Sequence, residues 1–417
     1  MLAREVLAAG IFSLVYLIIL AGENSPRKLD RPAAGLIGGV LMVVCGVLTR
    51  QEAVSAIDFG TLALLFGMMV VVQHAVTSGL LDRLAYRLVT ASRTADQMLW
   101  SLCWGAGILS ALFVNDTVCL LMTPLVLAAT RRARLPAEPF LLALATSSNV
   151  GSVMTVTGNP QNMLIGQSSH WTWAAFAARM VPIGIVCLVI NGLVLKAIYH
   201  RQLPPGAITL DGPAEPTALD RRLATKTVLV LLGLLLAFLL GAPMDVAALS
   251  AAVVMLVLAN RPPEKTFAAV DWSLLLFFAG LFVVAAGVTK AEAAWIGRLL
   301  PEVTRQVEQV AGLLRFSAAS VAGSNLFSNV PFVMLLRGWI APAPHAELLW
   351  LCLAASSTLA GNLTLVGSAA NLIVAHGAQA EHPLSFWAFL RVGILSTALT
   401  VLASTLMLWL FSRLGCV

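Results

Sequence analysis

The stretch SSNVGSVMTVTGNPQN, Ser147 to Asn162, decides how the chain is read. Hydroxyls, amides, two glycines and Pro160 interrupt a segment, Phe140 to Gly166, that is otherwise apolar. An unbroken helix here would turn these side chains to lipid, and Pro160 has no N–H to give to a helix interior. The reading is therefore a broken helix. A break frees backbone N–H and C=O groups, which lipid cannot satisfy; they must lie against protein or a wet cavity. The freed N-terminal amides of the following half-helix suit an anion or a polar oxygen, and Gly158 permits the sharp turn. The device occurs twice. SSTLAGNLTLVGSAAN, Ser356 to Asn371, pairs Thr155 with Thr364, Gly158 with Gly367 and Asn162 with Asn371.

Working outward, two further matches recur at nearly the same spacing, close to half the chain. AIDFGTLALLFGMMVVV from Ala56 reads against AVDWSLLLFFAGLFVVA from Ala269, and LFVND from Leu112 against LFSNV from Leu326. These pair Asp58 with Asp271 and Asn115 with Asn329. Three ordered matches make an internal repeat. The organisation expected is a first repeat over 1–200, a linker over 201–226 rich in Pro, Asp and Arg, and a second repeat over 227–417.

Composition names the solvent. Of 417 residues, 59% are hydrophobic and 11% charged, and the mean hydropathy is +0.89; a soluble domain carries about 25% charged residues. There are too few charges to cover a soluble surface, so the chain is an all-α integral membrane protein. The net charge of +6 is scattered through short loops rather than gathered in a basic run for a polyanion, so nucleic acid is not a partner. Six cysteines without C-x-x-C spacing give neither a disulfide frame nor a zinc site. No phosphate-binding glycine loop is present. No cofactor and no resident metal are implied.

Spanning segments run over 6–21, 33–48, 61–77, 174–198, 227–240, 246–259, 273–288 and 386–411, each near the roughly 20 residues that cross a bilayer. The positive residues Arg27, Lys28, Arg31, Arg83, Arg87, Arg93, Arg131, Arg132, Arg134, Arg201, Arg221, Arg222 and Lys226 are expected inside, by the excess of positive charge in cytoplasmic loops. The stretch 98–130 must then enter and leave on one side, as a re-entrant hairpin with its tip at Asn115-Asp116. Its counterpart is 310–340, and the two broken helices cover 140–168 and 348–376. Both termini come out extracytoplasmic, in a multi-pass protein of the inner (plasma) membrane. The second half starts in the opposite orientation, so the repeats are inverted, the architecture secondary transporters use for alternating access.

The candidate solute-binding residues follow. From the first half they are Asn115, Thr117, Ser148, Asn149, Thr155, Thr157, Gly158, Asn159 and Asn162. From the second they are Asn325, Ser328, Asn329, Ser357, Asn362, Thr364, Gly367, Ser368 and Asn371. Small residues also pack membrane helices, but amides clustered with glycine at repeat-paired positions suit a ligand better than lipid. Asn159→Ala or Asn371→Ala is expected to abolish transport and leave stability intact. Asp116 has no carboxylate counterpart, because Val330 occupies its place. A carboxylate in the apolar core is costly; it faces a cavity, pairs with a cation, takes a proton, or caps the following half-helix. It is the candidate coupling group.

With these motifs in hand, the chain resembles the ion transporter superfamily with a citrate-transporter-like domain. That group includes arsenite efflux permeases of the ArsB type, sodium/proton antiporters, citrate transporters and divalent anion/sodium symporters. FVNDTVCLLMTP, Phe113 to Pro124, and SNVP, Ser328 to Pro331, resemble the hairpins of the ArsB permeases. TGNPQN resembles the citrate-transporter and sodium/proton pattern. Where the symporters carry paired Ser-Asn-Thr motifs, this chain has Ser148-Asn149-Val150 and Ser357-Thr358-Leu359. The resemblance implies a scaffold part and a mobile part in each half, a homodimer through the scaffold helices, and a soluble ATPase as an optional partner. It implies a secondary transporter rather than an enzyme, expected to be a proton-coupled arsenite or antimonite exporter. A sodium-coupled dicarboxylate or sulfate symporter, or a sodium/proton antiporter, stands as the alternative.

Overall fold

The computed structural model describes residues 2–21, 29–169, 171–208, 218–291 and 304–417. Arg27, Lys28 and positions 209–217 of the linker lie outside the described residues. The described chain is helical, with a single isolated bridge between Thr94 and Ala207. The first half opens with α1 (Leu2–Ala21), α2 (Arg31–Val44), the short α3 (Arg50–Ala56) and α4 (Phe59–Thr77). The amphipathic α5 (Leu80–Thr90) leads to α6 (Ala95–Leu112) and α7 (Asn115–Arg132). Next come α8 (Ala137–Ser152), a 3-10 turn at Val156–Gly158, α9 (Pro160–Ser169) and α10 (Trp173–Tyr199).

The second half repeats the order. It contains α11 (Arg221–Leu239), α12 (Met244–Ala259), α13 (Pro263–Ala268) and α14 (Trp272–Lys290). The hairpin arms α15 (Val310–Phe327) and α16 (Asn329–Ile340) follow, then α17 (Ala346–Ala360), a 3-10 turn at Leu365–Gly367, α18 (Ala369–Ala378) and α19 (Phe386–Arg413). Among the described residues five helices, α4, α10, α11, α14 and α19, have the length and hydropathy to cross a membrane. The apolar α2, 14 residues, stops short of the span read from sequence over 33–48, whereas α12, 16 residues, covers the whole of 246–259. The chain turns just past each, at Gly46 with φ 73° and at Asn260 with φ 50°, the left-handed conformation that ends helices.

Helix starts follow local chemistry. Asp58 and Asp271 cap α4 and α14 by accepting from the backbone N–H of Thr61 and Leu274, each at 2.9 Å; this satisfies one of the orphan donors at a helix N-terminus. Thr49 and Glu52 form a capping box on α3. Glu52 also takes Lys290 from the end of α14, and that ammonium, with Thr49, holds its carboxyl at about 2.

The two halves interlock. In the first half α2 packs not on its neighbour α4 but along α14 of the second, and α12 packs along α4. Both pairs run parallel and close through small residues. A methyl group on Gly280 would collide with the carbonyl of Gly35, and one on Gly67 would lie 2.6 Å from the backbone of Ala248. Gly35 corresponds to Ala248 and Gly67 to Gly280, so the two crossings are the same contact made twice. Helices α10 and α19 also exchange equivalent contacts. Cys187 Sγ donates to Thr400 O, and their counterparts are joined by Ser396 Oγ donating to Asn191 Oδ1 at 2.6 Å. These two helices are antiparallel, so the pseudo-two-fold axis lies across the helices rather than along them. The repeats are inverted.

The linker folds back on the basic loops of the first half: Ile208 N donates to Arg93 O and Asp220 N to Ser78 O. Replacing Gly280 by leucine should force α14 away from α2 and destabilise the protein by at least about 1–3 kcal/mol, the usual cost of overpacking. Thermal unfolding in detergent checks this, and a wild-type melting temperature for Gly280→Leu would show that the crossing is not close-packed.

Candidate functional site

The two breaks are built alike. Asn162, in the first turn of α9, donates both N–H groups of its amide back across the break, to Ser152 O and Thr155 O, each at 3.0 Å. Asn371, in the first turn of α18, does the same to Gly361 O at 2.7 Å and Thr364 O at 3.1 Å. Among the described residues Ser152 O and Gly361 O have no backbone donor, whereas Thr155 O and Thr364 O also accept from Gly158 N and Gly367 N in the 3-10 turns. Thr155 and Thr364 hold the same extended backbone, φ −137° and −132°, at the head of each 3-10 turn. The glycines are needed for contact: a Cβ on Gly158 would strike Ser152, and one on Gly367 would lie 2.9 Å from Gly361 O. Asn159 Oδ1 accepts from Asn162 N at 2.8 Å, capping α9, whose first residue Pro160 has no N–H to satisfy.

The breaks meet each other at the centre of the molecule. Asn149 Nδ2 donates to Asn362 Oδ1 and Asn371 Oδ1, both at 2.9 Å. Asn149 Oδ1 accepts from Ser368 Oγ and from Asn115 Nδ2, both at 3.0 Å. The reciprocal contact is Asn159 Nδ2 donating to Thr358 Oγ1 at 3.2 Å, joined by Gln161 Nε2 at the same distance. Asn362 Nδ2 reaches Thr146 O at 3.0 Å. Asn191 of α10 holds Thr146 Oγ1 and Ser147 Oγ from behind, each at 2.9 Å.

The hairpins close over this centre. In the first, α6 and α7 join through Phe113–Val114, and Asn115 is the first helical residue of α7. Thr155 Oγ1 donates to Ala111 O at 2.5 Å. At the equivalent place in the second hairpin stands Asn325, which accepts from Thr364 Oγ1 at 3.4 Å and donates to Ala360 O at 3.0 Å. The second tip is a single residue, Ser328, at φ 67° and ψ 153°, a region left essentially to glycine and kept by other residues only where surrounding structure enforces it. Of the remaining candidates, Ser148 Oγ donates to Ala145 O and lies 3.0 Å from Cys119 Sγ. Thr157 accepts from Trp173 Nε1 at 3.3 Å. Thr117 and Asp116 are half-buried on the first turn of α7. The two breaks differ in access: every residue from Gly151 to Gly166 is buried, whereas Thr364 and Leu365 are half-buried and Val366 is 62% exposed.

A family model described as CitMHS, citrate transporter, matches residues 15–355. The chain belongs to this family. The silicon efflux transporter LSI3 of Oryza sativa subsp. japonica is 31% identical over 464 residues, 95% of this chain and 96% of that protein. A putative transporter arsB of Dictyostelium discoideum is 23% identical, over 94% of this chain and 90% of that one. The crystal structure of the Alcanivorax borkumensis YdaH transporter shares the fold, with a TM-score of 0.61 over 99% of this chain and 98% of that chain at 15% identity. The chain is a membrane-embedded secondary transporter, and the superfamily resemblance carried by the hairpins and TGNPQN is borne out.

Several expectations change. Asp116 does not cap α7: the N-cap is Val114, without a side-chain bond. Asp116 instead feels the charge of Arg31, at the start of α2, and of Asp271, partners its own motif does not contain. Asp58, besides capping α4, pairs through Oδ2 with Arg337 of the second hairpin at 2.8 Å. Sequence reasoning missed Thr358, Gln161 and Asn191. The lone amide of Asn191 inside an apolar span was the available signal; the other two are visible only from the contact between breaks. Asn371 holds the buried Gly361 carbonyl, which has no backbone donor among the described residues, so Asn371→Ala is now expected to destabilise as well as to impair transport, by about 1–3 kcal/mol for that group left unpaired. Thermal unfolding of Asn371→Ala against wild type measures this, and equal stability would mean that the carbonyl finds another partner.

Proposed function

We propose that the chain exports a small, neutral inorganic hydroxy acid, arsenite or antimonite, across the plasma (inner) membrane by alternating access, coupled to protons through Asp116. The observation that carries this reading is the chemistry of the buried centre. Where the breaks and hairpin tips meet, the side chains are amides and hydroxyls, with no lysine or arginine among them. Arg337, in the second hairpin, is committed to Asp58. A multiply charged anion brought into such a place lacks the countercharge that buried ions require. A neutral hydroxy acid needs only hydrogen bonds. The relatives named for silicon efflux and for arsB support the same solute chemistry, since dissolved silicon and arsenite near neutral pH are both uncharged hydroxy acids.

Alternating access would move the hairpins and breaks against the interlocked scaffold helices. Asp116 suits coupling because it stands beside the centre on the first turn of α7 and its carboxylate accepts no hydrogen bond among the described residues; its charge balance depends on Arg31 and Asp271. In proteoliposomes, wild-type protein should accumulate arsenite when a pH gradient is imposed and show no requirement for sodium. Asp116→Asn should still exchange arsenite across the membrane but lose uphill accumulation. Undiminished accumulation by that variant removes Asp116 from coupling. Sodium-dependent uptake of succinate or sulfate in place of arsenite would replace this reading with the symporter.

Sidedness has its own check. Cys45 and Cys416 are the exposed thiols, the other four being buried, and both fall on the outer side if the basic loops and linker are cytoplasmic. A membrane-impermeant maleimide should label both in intact cells and leave a cysteine placed in the linker untouched. Labelling of the linker instead would invert the orientation.

A further inference from the structure

The direction of every amide in the buried centre is set by backbone carbonyls, which only accept. Asn371 spends Nδ2 on Gly361 O and Thr364 O, and Asn362 spends its own on Thr146 O. Both therefore present Oδ1 to Asn149, which must answer with Nδ2 and turn its oxygen toward Ser368 and Asn115. All four hydrogen-bonding positions of Asn149 are then filled. Asn115 has given an N–H to Asn149, and its own Oδ1, buried, has no partner.

The first break ends differently. Asn162 gives both N–H groups to Ser152 O and Thr155 O, and its Oδ1 is buried and unpartnered. In the second break the equivalent oxygen, that of Asn371, is closed by Asn149. The repeat counterpart of Asn149 is Thr358, which has no amide to offer and already accepts from Asn159 and Gln161. The open oxygen thus arises where the internal repeat departs from itself. An unpaired buried acceptor is costly; Asn115 and its counterpart Asn329 each present one at the hairpin tips, and Asn162 presents one that its counterpart Asn371 does not.

We infer that the Asn162 carbonyl oxygen, left open because Thr358 stands where the other repeat has an asparagine, is the acceptor by which the centre takes an O–H of its solute, with Asn115 Oδ1 as the second. Asn149, placed among the ligands by sequence, braces the two breaks and touches no solute. Recognition by fixed acceptors selects a solute for its O–H groups: a fully protonated hydroxy acid fits, and an oxyanion without O–H leaves the same oxygens unpaired and adds repulsion. This rests on the neutral-solute reading and names the atoms that would enforce it.

Thr358→Asn is the test. By the symmetry of the centre, the new amide can donate to Asn162 Oδ1 as Asn149 does to Asn371, closing the site while satisfying the fold. Binding is measured on the full-length protein by competition of boric acid, orthosilicic acid, sulfate and citrate against arsenous acid, with thermal unfolding alongside. The expected result is mutual competition among the three neutral acids, none by sulfate or citrate, and at least a tenfold loss of arsenous acid affinity in Thr358→Asn with its melting temperature unchanged or raised. Wild-type affinity in a folded Thr358→Asn overturns the assignment, as does equal competition by sulfate. If Thr358→Asn does not fold, the wild-type protein decides: affinity for arsenous and orthosilicic acid must fall as rising pH takes an O–H proton from each and leaves an anion, and constant affinity overturns the inference. Failure of pH-driven arsenite flux with neutral acids still bound would sink the coupling alone, whereas intact flux in Thr358→Asn would sink this assignment and leave the transport reading standing.

Discussion

A helix interrupted inside a membrane strands carbonyls that neither lipid nor the helix can satisfy, at several kcal/mol each. In this transporter side-chain amides meet that demand, one in each half reaching across the break, with Asn159 and Asn325 taking Ser152 O and Ala360 O beside them. Asn162 and Asn371 each span their break, taking one stranded carbonyl, Ser152 O or Gly361 O, and tying it to the carbonyl at the head of the 3-10 turn. Everything polar at the centre is arranged around them. The 3-10 turns, the glycines that let chain approach chain, and the extended threonines at each turn are the geometry that brings those carbonyls within reach of one side chain. Remove the clamp and the irregular backbone loses what makes it tolerable at membrane depth.

The clamps then fix a second layer. Because their N–H groups face backward into the break, their oxygens face forward, and in the second repeat Asn149 arrives from the first to meet one of them. Two elements distant in sequence are thereby tied at the pseudo-two-fold axis, where Asn159 with Thr358 and Ser368 with Asn149 make the same contact in both directions. The scaffold follows the same symmetry on a larger scale, α2 lying on α14 and α12 on α4 through glycine and alanine. Neither repeat can form its scaffold alone, which makes the two halves one folding unit.

Departures from symmetry mark where the halves differ in chemistry. Asp58 is paired with Arg337, whereas its counterpart Asp271 stands near Asp116 and Arg31 instead. The second hairpin turns through Ser328 in a conformation suited to glycine, while the first turns without strain. The first break is sealed and the second reaches the surface at Val366. Two identical halves would present the same chemistry at both ends of the pseudo-two-fold axis; these differences are what set the halves apart.

Much of this was legible in the chain. The apolar composition set the solvent, and Pro160 among hydroxyls and amides set the first break, because proline and backbone polarity act locally. The repeat set the second break, both hairpins and the inversion, since positive charges and helix caps such as Asp58 and Asp271 also act within a few residues. What the sequence could not assign was the use of each amide. Asn149, Asn162, Asn362 and Asn371 are the same residue type in the same kind of motif, yet Asn149 braces, Asn362 ties its break to Thr146 of the other half, Asn162 and Asn371 clamp carbonyls, and Asn162 alone of these keeps an oxygen open. Side-chain amides are both donors and acceptors, so their roles are decided by which partner the other repeat brings to them. That is a property of the contact between the breaks, and only the tertiary structure contains it.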